Sequence, residues 1–169
     1  MHIYGDVLKL KANFCMNANF KELLEDVFNE QKNIDQTVLK ILDLQKRLAT
    51  SPLDSAVEPA LGTYLMNFYN GIENILKRIS KVYYVVIVRG ENWHKELLDV
   101  SFNPPEGKAP VFSKATVVAL YRYKNFRHRF VSGYGFQLKA EKMADLIENV
   151  EPLWVDIKKQ LDGFLQKLL

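Results

Sequence analysis

Between Tyr121 and Phe130 the chain sets Arg122, Lys124, Arg127, His128 and Arg129 among Tyr121, Tyr123, Phe126 and Phe130, and no acidic residue interrupts the run. Guanidinium groups hold phosphate oxygens in bidentate geometry, and aromatic rings stack on unpaired bases. As chemistry, the run suits a single strand of RNA, with Arg122, Lys124, Arg127 and Arg129 as the phosphate contacts. As packing, it is a solvated basic helix face over ordinary core aromatics, which is what most charge runs are. Composition leaves both open. Cys15 is the only cysteine, so no intrachain disulfide and no Cys-rich zinc site can form. No carboxylate–histidine cluster suggests a catalytic metal, and no cofactor is expected. His94 reads as a structural residue near a helix start, and Trp93 and Trp154 read as core.

Helices must position this segment. Phe20, Leu23, Leu24, Val27, Phe28, Ile34, Val38, Ile41, Leu42 and Leu48 recur at helical spacing, which predicts one long amphipathic helix over 20–48, capped by Asn19 and stopped by Thr50-Ser51-Pro52. Residues 1–16 carry no clear pattern. Leu61, Tyr64, Leu65, Phe68, Ile72, Ile75, Leu76 and Ile79 form the stripe of a second helix over about 58–81. The run VYYVVIV (82–88) is β-branched and aromatic enough for a strand but has no strand partner, and it is read as an extension of that helix. A short helix over 92–102, a proline-rich loop, a fourth helix from about Ser113 to at least Val131 and a fifth over about 140–169 follow. Gly133 and Gly135 offer the fourth helix an exit, and Pro152 marks a kink or a division in the fifth. The expected fold is all-α, an up-and-down antiparallel bundle of four to five helices in a single domain over 1–169.

Composition fits a soluble bundle. The 169 residues suffice for one continuous core. Hydrophobic residues make up 48% and charged residues 25%, near globular averages, so wholesale disorder is not expected. Mean hydropathy is −0.15 and no apolar run approaches the ~20 residues that span a bilayer, so no membrane association is expected. Residues 1–19 lack the blocks of a secretory signal, which makes the cytoplasm the expected location. A net charge of +3 is too small to indicate a nucleic-acid partner by itself, so the placement of charge carries the argument.

The segment FRHRFVSGYGFQLKAEKM (126–143) resembles the signature helix of HEPN ribonuclease toxins of the HepT type, in which an Arg is followed four to six residues later by a His and then by a nearby Tyr. ALGTYLMNFYNGIENILKRI (60–79), ENWHKELL (91–98) and the helix after the prolines resemble the same family in the same order, so the likeness spans roughly 20–169. It implies a homodimer in which the Arg and His of two protomers meet in a metal-independent endoribonuclease site acting on RNA. It also implies a cognate nucleotidyltransferase antitoxin of the minimal (MNT) type. Carried over by position, Arg127 takes the motif arginine, His128 the polar position after it and Tyr134 the tyrosine that such a partner modifies with AMP; the catalytic histidine falls on Ser132. A serine hydroxyl does not exchange protons near neutrality, so activity is expected to be attenuated or absent. Two rescues are open: His128, one turn before Ser132, swings into the site, or Arg122 and His128 form a shifted pair. Set against a catalytic role, Ser132 reads as a hydroxyl bonded back to a carbonyl one turn earlier. The rival function is a non-catalytic dimeric module that docks a nucleotidyltransferase, and a third is a helical domain with an unrelated partner.

Overall fold

A computed structural model describes residues 3–50, 54–133 and 139–168, with side chains from Ala18 onward. Five α-helices make up the fold: α1 (Ile3–Thr50), α2 (Val57–Ile79), α3 (Trp93–Phe102), α4 (Lys114–Ser132) and α5 (Ala140–Gln166). Among the described residues there is no strand, and no helix is long and apolar enough to cross a membrane. The all-helical bundle expected from periodicity is therefore the observed one.

Helix α2 is the centre. It packs on α1, α3, α4 and α5, and its buried positions Leu61, Leu65, Phe68, Tyr69, Ile72, Ile75, Leu76 and Ile79 cover more than one stripe of the helix. A helix apolar around so much of its circumference needs neighbours on several sides. From α1, Leu23, Val27, Ile34, Val38, Ile41 and Leu44 bury against it, and α5 closes the far side with Leu146, Val150, Trp154, Ile157 and Leu161. Trp154 Nε1 and Lys158 Nζ both donate to Asp35 Oδ1 at 2.7 Å, tying α5 to α1.

The α1–α2 contact is close enough to require glycine. A Cβ at Gly71 would stand 2.6 Å from Ile34 Cγ1 and 2.9 Å from its Cδ1, and a β-branched side chain in a helix has little rotamer freedom with which to retreat. Gly71→Ala is accordingly expected to cost about 1–3 kcal/mol through overpacking, less the ~1 kcal/mol that alanine gains in helix propensity. Urea unfolding followed by circular dichroism measures it, and a Gly71→Ala variant more stable than wild type would mean that Ile34 yields.

Several boundaries differ from the sequence expectation. Helix α1 begins at Ile3 and runs straight through Asn19, which therefore caps nothing; MNANFK contains no glycine or proline to stop a helix there. The segment after α2 is neither a full helical extension nor a paired strand. A π-helical turn (Ser80–Tyr84) continues α2, then Val85 takes φ 58°, ψ 35° and ends it. This is a left-handed conformation that a β-branched residue adopts only at a cost of about 1–2 kcal/mol. Ser80 holds the exit, its carbonyl accepting from Val86 N at 2.9 Å and its Oγ donating to Val86 O at 2.7 Å. Tyr84 Oη donates to the Ala109 carbonyl, and Ala109 N donates to Tyr83 Oη, so two tyrosines of the 82–88 run pin the proline-rich loop onto the end of α2. Helix α4 starts at Lys114, close to the expected Ser113, and Ser113 caps it, its Oγ accepting from Thr116 N at 3.2 Å. Gly133 leaves α4 in ordinary extended geometry, and α5 passes through Pro152 as one element.

Candidate functional site

Three helices converge on one buried polar cluster. Asn70 and Glu73 lie one turn apart on α2, His94 sits in the first turn of α3, and Arg127 reaches in from α4. Glu73 is 2% exposed, and a carboxylate in that position must be compensated by charge and hydrogen bonds. His94 Nδ1 is hydrogen-bonded to Glu73 Oε1. On the other side of the ring, Arg127 Nη1 lies 3.3 Å from His94 Nε2, while Arg127 Nε donates to Asn70 Oδ1 at 2.6 Å and stands 3.9 Å from Glu73 Oε2.

The donors fix the tautomer. A guanidinium can only donate, so His94 Nε2 presents its lone pair to Arg127, and the ring proton sits on Nδ1 facing the Glu73 carboxylate. The result is a neutral imidazole between an anion and a cation. With side-chain exposures of 24% and 27%, His94 and Arg127 form the end of the cluster that opens to the surface, whereas Glu73 is its floor. The Trp93 ring lies against the His94 ring, tilted by 32° with centroids 3.4 Å apart, and Lys77 Nζ lies 4.0 Å from the Trp93 centroid. Trp93 is thus half-buried at the site, in contrast to Trp154, which is core as expected.

Tyr69 completes the floor. Its hydroxyl is buried and has no hydrogen-bond partner among the described residues. Burial first, then the Glu73 charge, pushes the phenol far above its ordinary range. Tyr121 Oη donates to Asp99 Oδ1 at 2.7 Å; burial, then Asp99, pushes its pKa up to about 12. Both tyrosines are hydroxyl-bearing walls rather than acids.

The basic run does not form one groove. Arg127 faces inward. Arg122 pairs with Asp145 of α5, an acid that linear inspection of 121–130 does not reveal. Lys124 Nζ lies 5.6 Å from the Tyr121 ring centroid, and His128 and Arg129 are exposed. Tyr123 and Phe126 are core, the former with its hydroxyl donating to the Leu146 carbonyl at 2.8 Å, and so are not surfaces for base stacking. Ser132 is exposed, and its Oγ donates to the His128 carbonyl at 2.8 Å. Five residues of α-helix turn about 140° past a full turn, so within one chain Arg127 and Ser132 leave α4 in different directions. The structure brings neither Ser132 nor His128 to Arg127. Tyr134 lies outside the described residues.

Sequence reasoning missed Asn70, Glu73 and Tyr69 and took His94 for a merely structural residue. A signal for Glu73 existed: it stands four residues after Tyr69, eight after Leu65 and three before Leu76, all on the apolar arc of α2. A charged residue at an apolar position of a central helix must find partners.

The model of one family, described as HepT-like protein, matches residues 60–168, which take in most of α2 and all of α3 and α4, and α5 to its end. No curated protein and no solved structure matches the chain.

Proposed function

Since this chain belongs to the HepT-like family of the HEPN superfamily, we propose that it is the toxin half of a toxin–antitoxin pair, a metal-independent endoribonuclease type acting on RNA. The observation that carries the reading is the setting of Arg127. The arginine at the motif position is gripped by Asn70 and His94 and balanced by Glu73, and its side chain still reaches the surface. A guanidinium held in this way is preorganised to stabilise charge developing on the oxygens of a phosphodiester. In this reading the protein is a homodimer, because motif positions that diverge within one α4 can meet only across two copies. Its antitoxin is a nucleotidyltransferase that modifies Tyr134, and Arg122, Lys124 and Arg129 supply weaker phosphate contacts. Ser132 in place of the motif histidine attenuates cleavage.

RNA affinity tests the reading. Arg127→Ala should weaken binding of a single-stranded RNA by about 10-fold or more, the worth of a hydrogen bond to a charged group, whereas Lys40→Ala, on the exposed face of α1, should change it less than about 2-fold. Arg127→Lys, which keeps a cation beside Glu73, guards against a folding defect and should still lose the bidentate share. Fluorescence anisotropy at two salt concentrations reads all three. Equal losses at Arg127 and Lys40 would reduce the interaction to unspecific charge attraction and remove the site.

A second reading, a non-catalytic dimeric module that docks the nucleotidyltransferase, is favoured by Ser132, whose hydroxyl is spent on its own helix, and by Val118 and Val131, which α4 leaves exposed. A stable complex with the nucleotidyltransferase and no RNA affinity would select it.

A further inference from the structure

The buried polar cluster does more than hold an arginine, and we propose that His94 is the catalytic base of the site, taking the place left by Ser132. This rests on the reading of the protein as a ribonuclease. Ser132 is bonded to its own helix and carries no group that exchanges protons near neutrality. His128 is exposed and makes no side-chain hydrogen bond among the described residues. His94 alone has both features of an oriented base, a ring nitrogen fixed by a buried carboxylate and the opposite nitrogen presented as a lone pair near the surface.

Its position relative to Arg127 is the second observation. Nε2 and Nη1 are 3.3 Å apart, so the proton acceptor and the phosphate clamp occupy one spot. When a phosphodiester takes the Arg127 donors, the weak Arg127–His94 bond is exchanged for bonds to phosphate oxygens, and the Nε2 lone pair is released beside the ribose. The step then balances. The 2′-oxygen attacks phosphorus as its proton passes to Nε2, the bond from phosphorus to the 5′-oxygen breaks, and the leaving oxygen takes a proton back from the imidazolium. The products are a 2′,3′-cyclic phosphate and a 5′-hydroxyl, with no redox change and no co-reactant. The transient imidazolium faces Glu73, whose charge is no longer matched by an Arg127 now engaged with phosphate. Glu73 is therefore a positioning residue, and Trp93 packs against the ring at a tilt of 32°.

Of the other charged and titratable groups, Lys77 of α2 lies across Trp93, and Tyr69 of α2 feels the charges of Glu73 and Arg127.

The test uses the full chain and a single-stranded RNA, with cyclic phosphate ends as the readout in the presence of a chelator. His94→Gln keeps an acceptor for Arg127 but cannot take a proton. It should lower cleavage by about 10²–10⁴-fold, the usual worth of general acid–base catalysis, while RNA affinity and the circular dichroism spectrum stay within error of wild type. Glu73→Gln removes the anion that favours the imidazolium, so the rising limb of kcat/KM against pH should move to lower pH, a shift that loss of packing alone does not produce. Wild-type cleavage that survives His94→Gln overturns the assignment and leaves the ribonuclease reading standing. Wild-type protein that binds RNA yet leaves no cyclic ends also overturns it, and protein that neither binds nor cleaves removes both.

Discussion

In a His94→Gln background, Ser132→His is expected to raise metal-independent cleavage of RNA by about 10²–10⁴-fold, because it restores at the motif position a group that exchanges protons near pH 7. The geometry adds a condition. Residue 132 leaves α4 about 140° around from Arg127, so the new imidazole can reach an Arg127 guanidinium only by crossing to a second copy of the chain. The gain should therefore fall away on dilution below the dimer dissociation constant. A protein carrying both Ser132→His and Arg127→Ala should be inactive alone and regain activity when mixed with wild type, which supplies the missing arginine. Kinetics on a labelled RNA in the presence of a chelator measure each of these. A folded, dimeric Ser132→His protein without the gain would mean that the motif register is wrong, and the docking-module reading would take its place.

The second large effect is on stability. Arg127→Leu leaves the Glu73 carboxylate, 2% exposed, without its balancing cation, and breaking a buried pair from one side costs about 3–5 kcal/mol. Against a total of roughly 5–15 kcal/mol for a domain, that is a major share. The double variant Glu73→Leu with Arg127→Leu should recover most of the loss, since apolar residues of similar volume replace a buried pair at little cost. Urea denaturation of both variants at pH 8 checks the loss and its recovery. A single variant as stable as wild type at pH 8 would show that Glu73 is neutralised by some other group.

The parts of the molecule legible in the sequence are those that a period alone determines. Leu61, Leu65, Phe68, Ile72, Ile75, Leu76 and Ile79 read as one face of α2 and are all buried. Phase was harder. In YRYKNFRHRF basic and aromatic residues alternate so closely that the period does not say which cations turn inward, and the answer lies on another helix, where Asn70 and Glu73 form the receptor for Arg127. His94 could not be weighed correctly from its neighbours in sequence, because its two partners are 21 and 33 residues away. The stretch 82–88 failed differently. Its composition favours strand and its context favours helix, and the left-handed turn at Val85 settles the matter for neither.

The bonds from Trp154 and Lys158 of α5 to Asp35 of α1 carry a consequence for biosynthesis. Asp35 and Trp154 are 119 residues apart in the chain, so a ribosome adding about 5–20 residues per second places roughly 6–24 seconds between them. For that interval the side of α1 and α2 that α5 will cover stays open in the nascent chain, and the cluster around Glu73 can assemble from α2, α3 and α4 before the last helix exists. Order of synthesis thus separates two events that the finished fold shows as one: the site can form first, and the core is sealed last. A chaperone or a partner that recognises the uncovered face has its opportunity before α5 emerges from the exit tunnel and docks.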